Sequence, residues 1–298
     1  MFKKSSQIWY KMKFQCKKTM EYITVNEILI CPVCKSALYR DEKSYFCRGE
    51  KRHCFDISSH GHTNLCPGKS TGGDDKRAVR SRTEFLNLGY YQPISDKICE
   101  ILGDLTKDCF VVDAGCGEGY YTNNIADKTG AQTYGFDLSK EAIISASKSA
   151  KRQGLSNATF CVGGIYNLPI CDGGADAVTN IFAPCAEAEF SRILKEKGIL
   201  IVVGAGKNHL YGLKRAIYDE VYTNEERADM PRCMKLVGEH SLNYKITLNN
   251  SEAIRNLFSM TPYSYRTSEK DMQKLYALTS LETEVDINIF VYRKENTL

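Results

Sequence analysis

No apolar run in this chain approaches the ~18 residues that a bilayer-spanning helix requires, so no membrane span is expected. The opening stretch, MFKKSSQIWYKMKFQCKKTM, is basic but lacks the continuous apolar core of a secretory signal, and a cytoplasmic location is the expectation. No internal repeat is visible, which argues against solenoid and propeller architectures. A disulfide framework is also not indicated. The 13 cysteines are odd in number, and Cys99, Cys109, Cys161 and Cys233 stand alone, as reduced thiols and small core residues do.

What remains is an ordinary soluble composition: 298 residues, 43% hydrophobic and 26% charged. That length allows one main domain and a small extra module. The net charge of +4 conceals an asymmetry, because residues 1–90 hold 17 Lys/Arg against 9 Asp/Glu while the rest of the chain is net acidic. A basic amino-terminal third reads either as a solubilising tail or as the part that meets a polyanion.

The order of segments suggests four regions. Residues 1–25 read as a poorly ordered basic extension in which Met12 and Met20 are alternative starts, and residues 26–68 as a compact Cys- and His-rich module. Residues 69–88, rich at their start in Gly, Ser and charge, read as a linker or mobile loop, and residues 89–298 as the main domain. There, strand-like runs (CFVVDAGCG, AQTYGFDL, ATFCVG, ADAVTNIF, GILIVVG) alternate with helical patterns. One helix is expected from a Ser139 N-cap to Gly154, and another ends at Gly130. This rhythm predicts an α/β fold with a mostly parallel sheet between helices, and VDINIFVYRK fits an antiparallel closing strand.

A glycine loop, Asp113-Ala114-Gly115-Cys116-Gly117-Glu118-Gly119, follows the strand Phe110-Val111-Val112. Glycines there let the backbone turn sharply and a ligand come close. Alone, such a loop also suits NAD, FAD or a tight turn. Asp113 just before the first glycine would repel a pyrophosphate but accepts from an amino group, directly or through water. Asp137 ends the next strand, where a carboxylate can accept both hydroxyls of an adenosine ribose. Each acid singly could be a solvated strand end. Together they resemble the class I S-adenosylmethionine-dependent methyltransferases. After the third strand, Cys161 to Pro169 carry no acid for the adenine, leaving backbone groups of Gly163 to Ile165 to hold it.

Cys31-Pro32-Val33-Cys34 is followed by Cys47 and His53, donors suited to a tetrahedral zinc ion. Cys54 or Cys66 could substitute for His53, and CxxC alone could be a redox pair. A four-ligand site would be structural and would staple a segment too short to fold unaided.

This CPxC module, followed by a basic linker, Gly89-Tyr90-Tyr91-Gln92-Pro93, the glycine loop and Ile181-Phe182-Ala183-Pro184-Cys185, resembles the bacterial large-subunit (23S) ribosomal RNA guanine-N1 methyltransferases. Their Gram-positive branch includes a tylosin-resistance methyltransferase. The resemblance runs from about Cys31 to Arg293. It implies S-adenosylmethionine and structural zinc as cofactors, 23S rRNA as partner and a homodimer. It also implies metal ligation by Cys31, Cys34, Cys47 and His53, and cofactor contacts from Tyr91, the Gly117-Glu118 loop, Asp137 and His209. Otherwise Tyr91 would be a packing aromatic and His209 a cap or surface group. Cys185 is expected to be structural, since guanine N1 needs no covalent catalysis, and no general base is identified. Lys35, Arg40, Lys43, Arg48, Lys51 and Arg52, interleaved with Tyr39, Tyr45 and Phe46, are expected to meet RNA, with Phe46 alternatively core. Lys76, Arg77, Arg80 and Arg82 would close over it. The rival readings are a small-molecule methyltransferase and a non-catalytic zinc-containing RNA-binding protein.

Overall fold

The computed structural model describes residues 28–68, 72–224, 231 and 233–295. The basic extension expected over residues 1–25 lies outside the described residues. The amino-terminal module consists of Leu38–Asp41 (β1), Ser44–Cys47 (β2) and Cys54–Asp56 (β3), paired antiparallel, followed by the short Thr63–Asn64 (β4). Two helices come next, Lys76–Leu86 (α1) and Gln92–Ile101 (α2). The α/β alternation then runs through Phe110–Ala114 (β5), Tyr120–Thr129 (α3), Gln132–Asp137 (β6), Lys140–Gln153 (α4), Ala158–Val162 (β7) and Ala175–Ile181 (β8). It continues with Glu187–Ile193 (α5), Leu194–Ala205 (β9) and Tyr211–Ile217 (α6). The chain closes with Lys235–Leu248 (β10), Ser251–Ser259 (α7), Glu269–Ala277 (α8) and Leu281–Arg293 (β11).

The main sheet has the order β10-β11-β9-β8-β5-β6-β7-β4. β5 to β9 are mutually parallel, and β11 enters antiparallel beside β9, as VDINIFVYRK suggested. The chain runs outward from β5 through β6 to β7 and then returns to β8 on the other side of β5. That reversal makes a crevice at the carboxyl ends of β5 and β8, where open α/β sheets bind ligands. The expected helix limits hold: Ser139 caps α4 by accepting from the Ala142 amide, and Gly130 and Gly154 close their helices in the left-handed region.

Residues 69–88 depart from the expected linker. From Lys76 to Leu86 the chain is helical, started by Asp75, whose side chain accepts from the Ala78 amide. Charges dominate KRAVRSRTEFL, yet Val79, Phe85 and Leu86 share a buried side and the helix packs beside α7 and α4. A sparse apolar stripe among five charged residues hid it from a composition-based reading. β10 also went unread, because an edge strand keeps one face and one rim in water and so stays polar.

The amino-terminal module has no separate core among the described residues. β4 extends the main sheet parallel to β7, Leu29 bridges Ile170, and the Ile30 amide donates to Pro169 O at 2.8 Å. Leu29, Leu38, Tyr45, Cys47 and Leu65 belong to one apolar cluster with Val112, Phe136 and Leu168 of the main domain. Leu29, 1% exposed, tests this continuity. Leu29→Ala should cost about 2–5 kcal/mol of global stability. Urea unfolding followed by both ribbon and sheet probes should remain one transition, and a ribbon melting ahead of the sheet would contradict it.

Candidate active site and metal cluster

Asp113, next to the last residue of β5, is almost completely buried beside Thr179 in register on β8. Its carboxylate accepts from Thr179 Oγ1 at 2.9 Å and from Thr122 Oγ1 of α3. Burial raises its pKa to about 6, the threonine hydroxyls opposing that rise. The residue expected to meet an amino group thus braces three elements around the glycine loop. Gly115 sits at φ 87°, and a Cβ there would come within 2.6 Å of the Ala183 Cβ, so only glycine lets the loop pass beneath the β8 turn.

Asp137 ends β6 and accepts from the Gly117 amide at 3.1 Å and the Ser139 amide at 2.7 Å. It therefore holds the glycine loop against the start of α4, and burial raises its pKa. Beside it Leu138 is 38% exposed and faces Gly164, offering an apolar rest for a flat ring. Glu118 is buried and receives the Arg82 guanidinium at 2.5 Å, while Arg82 also grips Asp74. Burial raises the Glu118 pKa and the Arg82 charge opposes it. Arg82, expected to face RNA with its neighbours on α1, instead lies over the Gly117–Glu118 turn. The basic residues at 76, 77, 80 and 82 point in several directions around the helix, which hides which one turns inward until the helix is docked.

Tyr91 and His209 come together from α2's start and from the turn after β9. Tyr91 is 3% exposed and His209 7%, and Tyr91 Oη lies 3.3 Å from His209 Nε2. Burial lowers the His209 pKa to about 4, so the ring is neutral near pH 7. The Asp286 amide donates to His209 Nδ1, which assigns the ring proton to Nε2. His209 then donates to the Tyr91 oxygen, leaving the Tyr91 hydroxyl proton for another acceptor. The Tyr121 hydroxyl is buried with no hydrogen-bond partner, within electrostatic reach of Tyr91 and Glu118. An orphaned buried donor beside a carboxylate-rimmed glycine turn suits the polar end of an amino-acid-bearing cofactor.

In the ribbon, one donor atom each from Cys31, Cys34, Cys47 and His53 lies within 4.8 Å of every other. Cys34 Sγ is 3.7 Å from Cys47 Sγ, and His53 Nδ1 is 3.5 and 3.3 Å from the sulfurs of Cys31 and Cys47. A tetrahedral zinc with ~2.3 Å Zn–S bonds sets its ligands about 3.8 Å apart, so the set fits the ion. Hydrogen bonding from the Ser36 amide lowers the Cys34 thiol to about 6, towards the thiolate a metal needs. Cys54 is exposed and turned to Asp56, and Cys66 packs against the apolar cluster of Ile143 and Phe160. Neither joins the cluster.

Strand alternation sorts the ribbon aromatics. Tyr45 and Cys47 face inward, so the core ring is Tyr45, not Phe46. Phe46 and Tyr39 lie on the outer face with centroids 6.0 Å apart, under the guanidinium groups of Arg52 at 4.3 Å and Arg48 at 4.8 Å. Lys35 donates to Asn167 Oδ1 at 2.8 Å, tying the metal turn to the loop that follows β7. Cys185 packs half-buried against the shared core, as a structural residue does.

The strand order, the glycine turn held by Asp137 and the four-ligand cluster define a class I S-adenosylmethionine-dependent methyltransferase with an amino-terminal zinc ribbon. A family model described as a methyltransferase domain matches residues 105–258, and one described as RlmA, N-terminal, matches residues 29–71. A Bacillus subtilis protein provisionally named a 23S rRNA (guanine-N1)-methyltransferase is 30% identical over 297 residues, covering 93% of this chain and 100% of that protein. The 23S rRNA (guanine(748)-N1)-methyltransferase of Streptomyces fradiae is 28% identical over 84% of this chain and 90% of its own length. The chain belongs to the 23S rRNA (guanine-N1)-methyltransferase family.

The site yields two expected outcomes. Asp113 has a folded pKa above its unfolded value, so the stability it contributes is full below roughly pH 4 and is lost as pH rises through about 6. Asp113→Asn should remove about 1.4 kcal/mol per pH unit from the slope of stability across that window, read by denaturant titrations at several pH values. An unchanged slope would exclude the buried carboxylate as its source. For the cluster, His53→Ala should lose zinc and lower Tm, whereas Cys54→Ser should keep one zinc per chain, measured by metal analysis after dialysis. Zinc loss in the Cys54 variant instead would reverse the ligand assignment.

Proposed function

We propose that the chain transfers a methyl group from S-adenosylmethionine to N1 of one guanine in a hairpin of 23S rRNA. The observation that carries this reading is the Lys35–Asn167 contact. It ties a ribbon bearing cation-capped outward aromatics to the loop after β7, at the carboxyl end of the sheet where the glycine turn and Asp137 lie. Basic groups meet phosphates, and exposed rings stack on unpaired bases. A small-molecule substrate would leave that surface without a task. A purely binding role would leave the Asp137–Gly117 arrangement without one.

The geometry supports the following roles. Asp137 receives the ribose hydroxyls, Leu138 and the Gly163–Ile165 backbone flank the adenine, and the turn at Gly115, Gly117 and Glu118 faces the methionine portion. Asp113 holds this turn in place, while Tyr91, fixed by His209, turns its hydroxyl proton towards the same end. S-adenosylmethionine supplies an electrophilic methyl carbon, so the protein's main task is alignment for in-line displacement. Guanine N1 must lose its proton, and the charge spreads to O6, for which backbone groups around Ala183–Cys185 are the candidate donors. Cys31, Cys34, Cys47 and His53 would hold zinc, which would stabilise the ribbon and supply no chemistry to the transfer.

The reading extends to a cytoplasmic homodimer. In support, no helix among the described residues is long and apolar enough to cross a membrane, and the β10 edge exposes Leu236 and Val237. Sedimentation equilibrium should give twice the chain mass, and a monomer at micromolar concentration would remove the dimer from the reading. For the reaction itself, mass mapping of 23S rRNA nucleotides from strains with and without the gene should show one N1-methylguanine lost on deletion. Equal modification in both strains would reject the assignment.

A further inference from the structure

Residues 73–82 arch over the cofactor turn from two footings. The first is on Ser139. Gly73 has φ 86° and stands so close that a Cβ on it would come within 2.7 Å of the Ser139 amide nitrogen, and Ser139 Oγ donates to Asp74 O at 2.6 Å. The second is on Glu118. Arg82 Nε donates to the Glu118 carboxylate, and Arg82 Nη2 closes the arch by pairing with Asp74 at 2.5 Å. Between the footings lies the Asp137–Gly117 contact. The Ser139 amide donates to Asp137, and Gly117 sits beside the Arg82 guanidinium. A carboxylate–guanidinium–carboxylate bridge thus spans the position proposed for the ribose.

The two ends of this bridge differ in how firmly they hold. The Glu118 side chain is 7% exposed and that of Asp74 33%, so water competes for Asp74 and hardly reaches Glu118. Breaking the inner pair would leave a buried carboxylate uncompensated, whereas opening the outer pair leaves Asp74 and the freed end of Arg82 within reach of solvent. The arch therefore opens at Asp74. Helix α1 does not depend on that bond: Asp75 caps it, and Val79, Phe85 and Leu86 anchor its buried side.

Resting on the cofactor placement of the proposed function, we infer that Arg82 and Asp74 are positioning residues of the cofactor site and that the bond between them governs passage. While it is made, residues 73–75 lie across the ribose position, and the cofactor enters and leaves while it is broken. Arg82 stays on Glu118 in both arrangements and holds the glycine turn. A clasp that shuts equally over the free and the loaded site sets the rates and leaves the equilibrium alone. Neither residue touches the reacting atoms.

The test measures S-adenosylmethionine association and dissociation on the immobilised, zinc-loaded full chain by surface plasmon resonance, with methylation of naked 23S rRNA followed in parallel. Asp74→Ala should raise both rate constants about tenfold, the effect of one lost charge-assisted bond, while Kd stays within about threefold. Arg82→Lys keeps a charge beside Glu118 but has no fork to span two carboxylates, so it should speed both rates by a similar factor. Gly73→Ala leaves every charged group in place and pushes the strap off Ser139, so it should act in the same direction. Unchanged rates in the Asp74 and Gly73 variants, or dissociation that rises alone and carries Kd up with it, overturn the inference and leave the proposed function standing. Faster exchange in the variants of a chain whose wild type methylates no guanine N1 supports the clasp and overturns the guanine assignment alone.

Discussion

The carboxylate of Asp113 ties β5, α3 and β8 together through two threonine hydroxyls, and the site depends on that knot. β5 carries the glycine turn, and β8 carries the Phe182–Cys185 segment that presses on it. The two segments leave neighbouring parallel strands at the sheet's reversal point, and each must be held for the crevice between them to have a shape. Thr122 and Thr179 hold them by bonding a charge that burial disfavours, so the knot is tight at the expense of a raised pKa. A second tie, from Asp137 to the Gly117 and Ser139 amides, fixes the far end of the same turn.

The ribbon is an extension of this sheet more than an appendage to it. β4 adds an eighth strand next to β7, and the buried faces of Leu29, Tyr45 and Leu65 complete an apolar layer begun by Phe136 and Leu168. A segment of this length cannot bury enough surface alone, and the metal cluster and the shared core supply what it lacks. The consequence for function is geometric. The cationic outer face, with Arg48 and Arg52 over Tyr39 and Phe46, is carried on a rigid base beside the crevice. α1 contributes from the other side, where Arg82 bridges Glu118 and Asp74 and ties residues 72–86 to the cofactor turn.

Much of this was legible in the residues. The alternation of apolar runs with capped helices predicted the parallel sheet, because strand and helix periods are local properties that neighbours along the chain reveal. Ser139, Gly130 and Gly154 marked helix ends because capping needs only the nearest amides and carbonyls. The four metal ligands were readable from spacing, since a tight turn brings CxxC together whatever surrounds it. Choosing His53 over Cys54 required the placed side chains, which turn His53 to the sulfur of Cys47 and Cys54 to Asp56.

The remainder was settled only by tertiary packing. Residues 76–86 read as loop because their helix is stabilised by docking on α7 and α4, and which arginine turns inward follows from that docking. The meeting of Tyr91 with His209, 118 positions apart, and of Phe182 with both, arises where separate elements converge, and no local pattern encodes it. By itself, then, the chain's order determined the class of fold, the cofactor turn and the metal set, because each rests on short-range geometry. The three-dimensional structure decided which side chains face the crevice, because that depends on contacts between segments far apart in sequence.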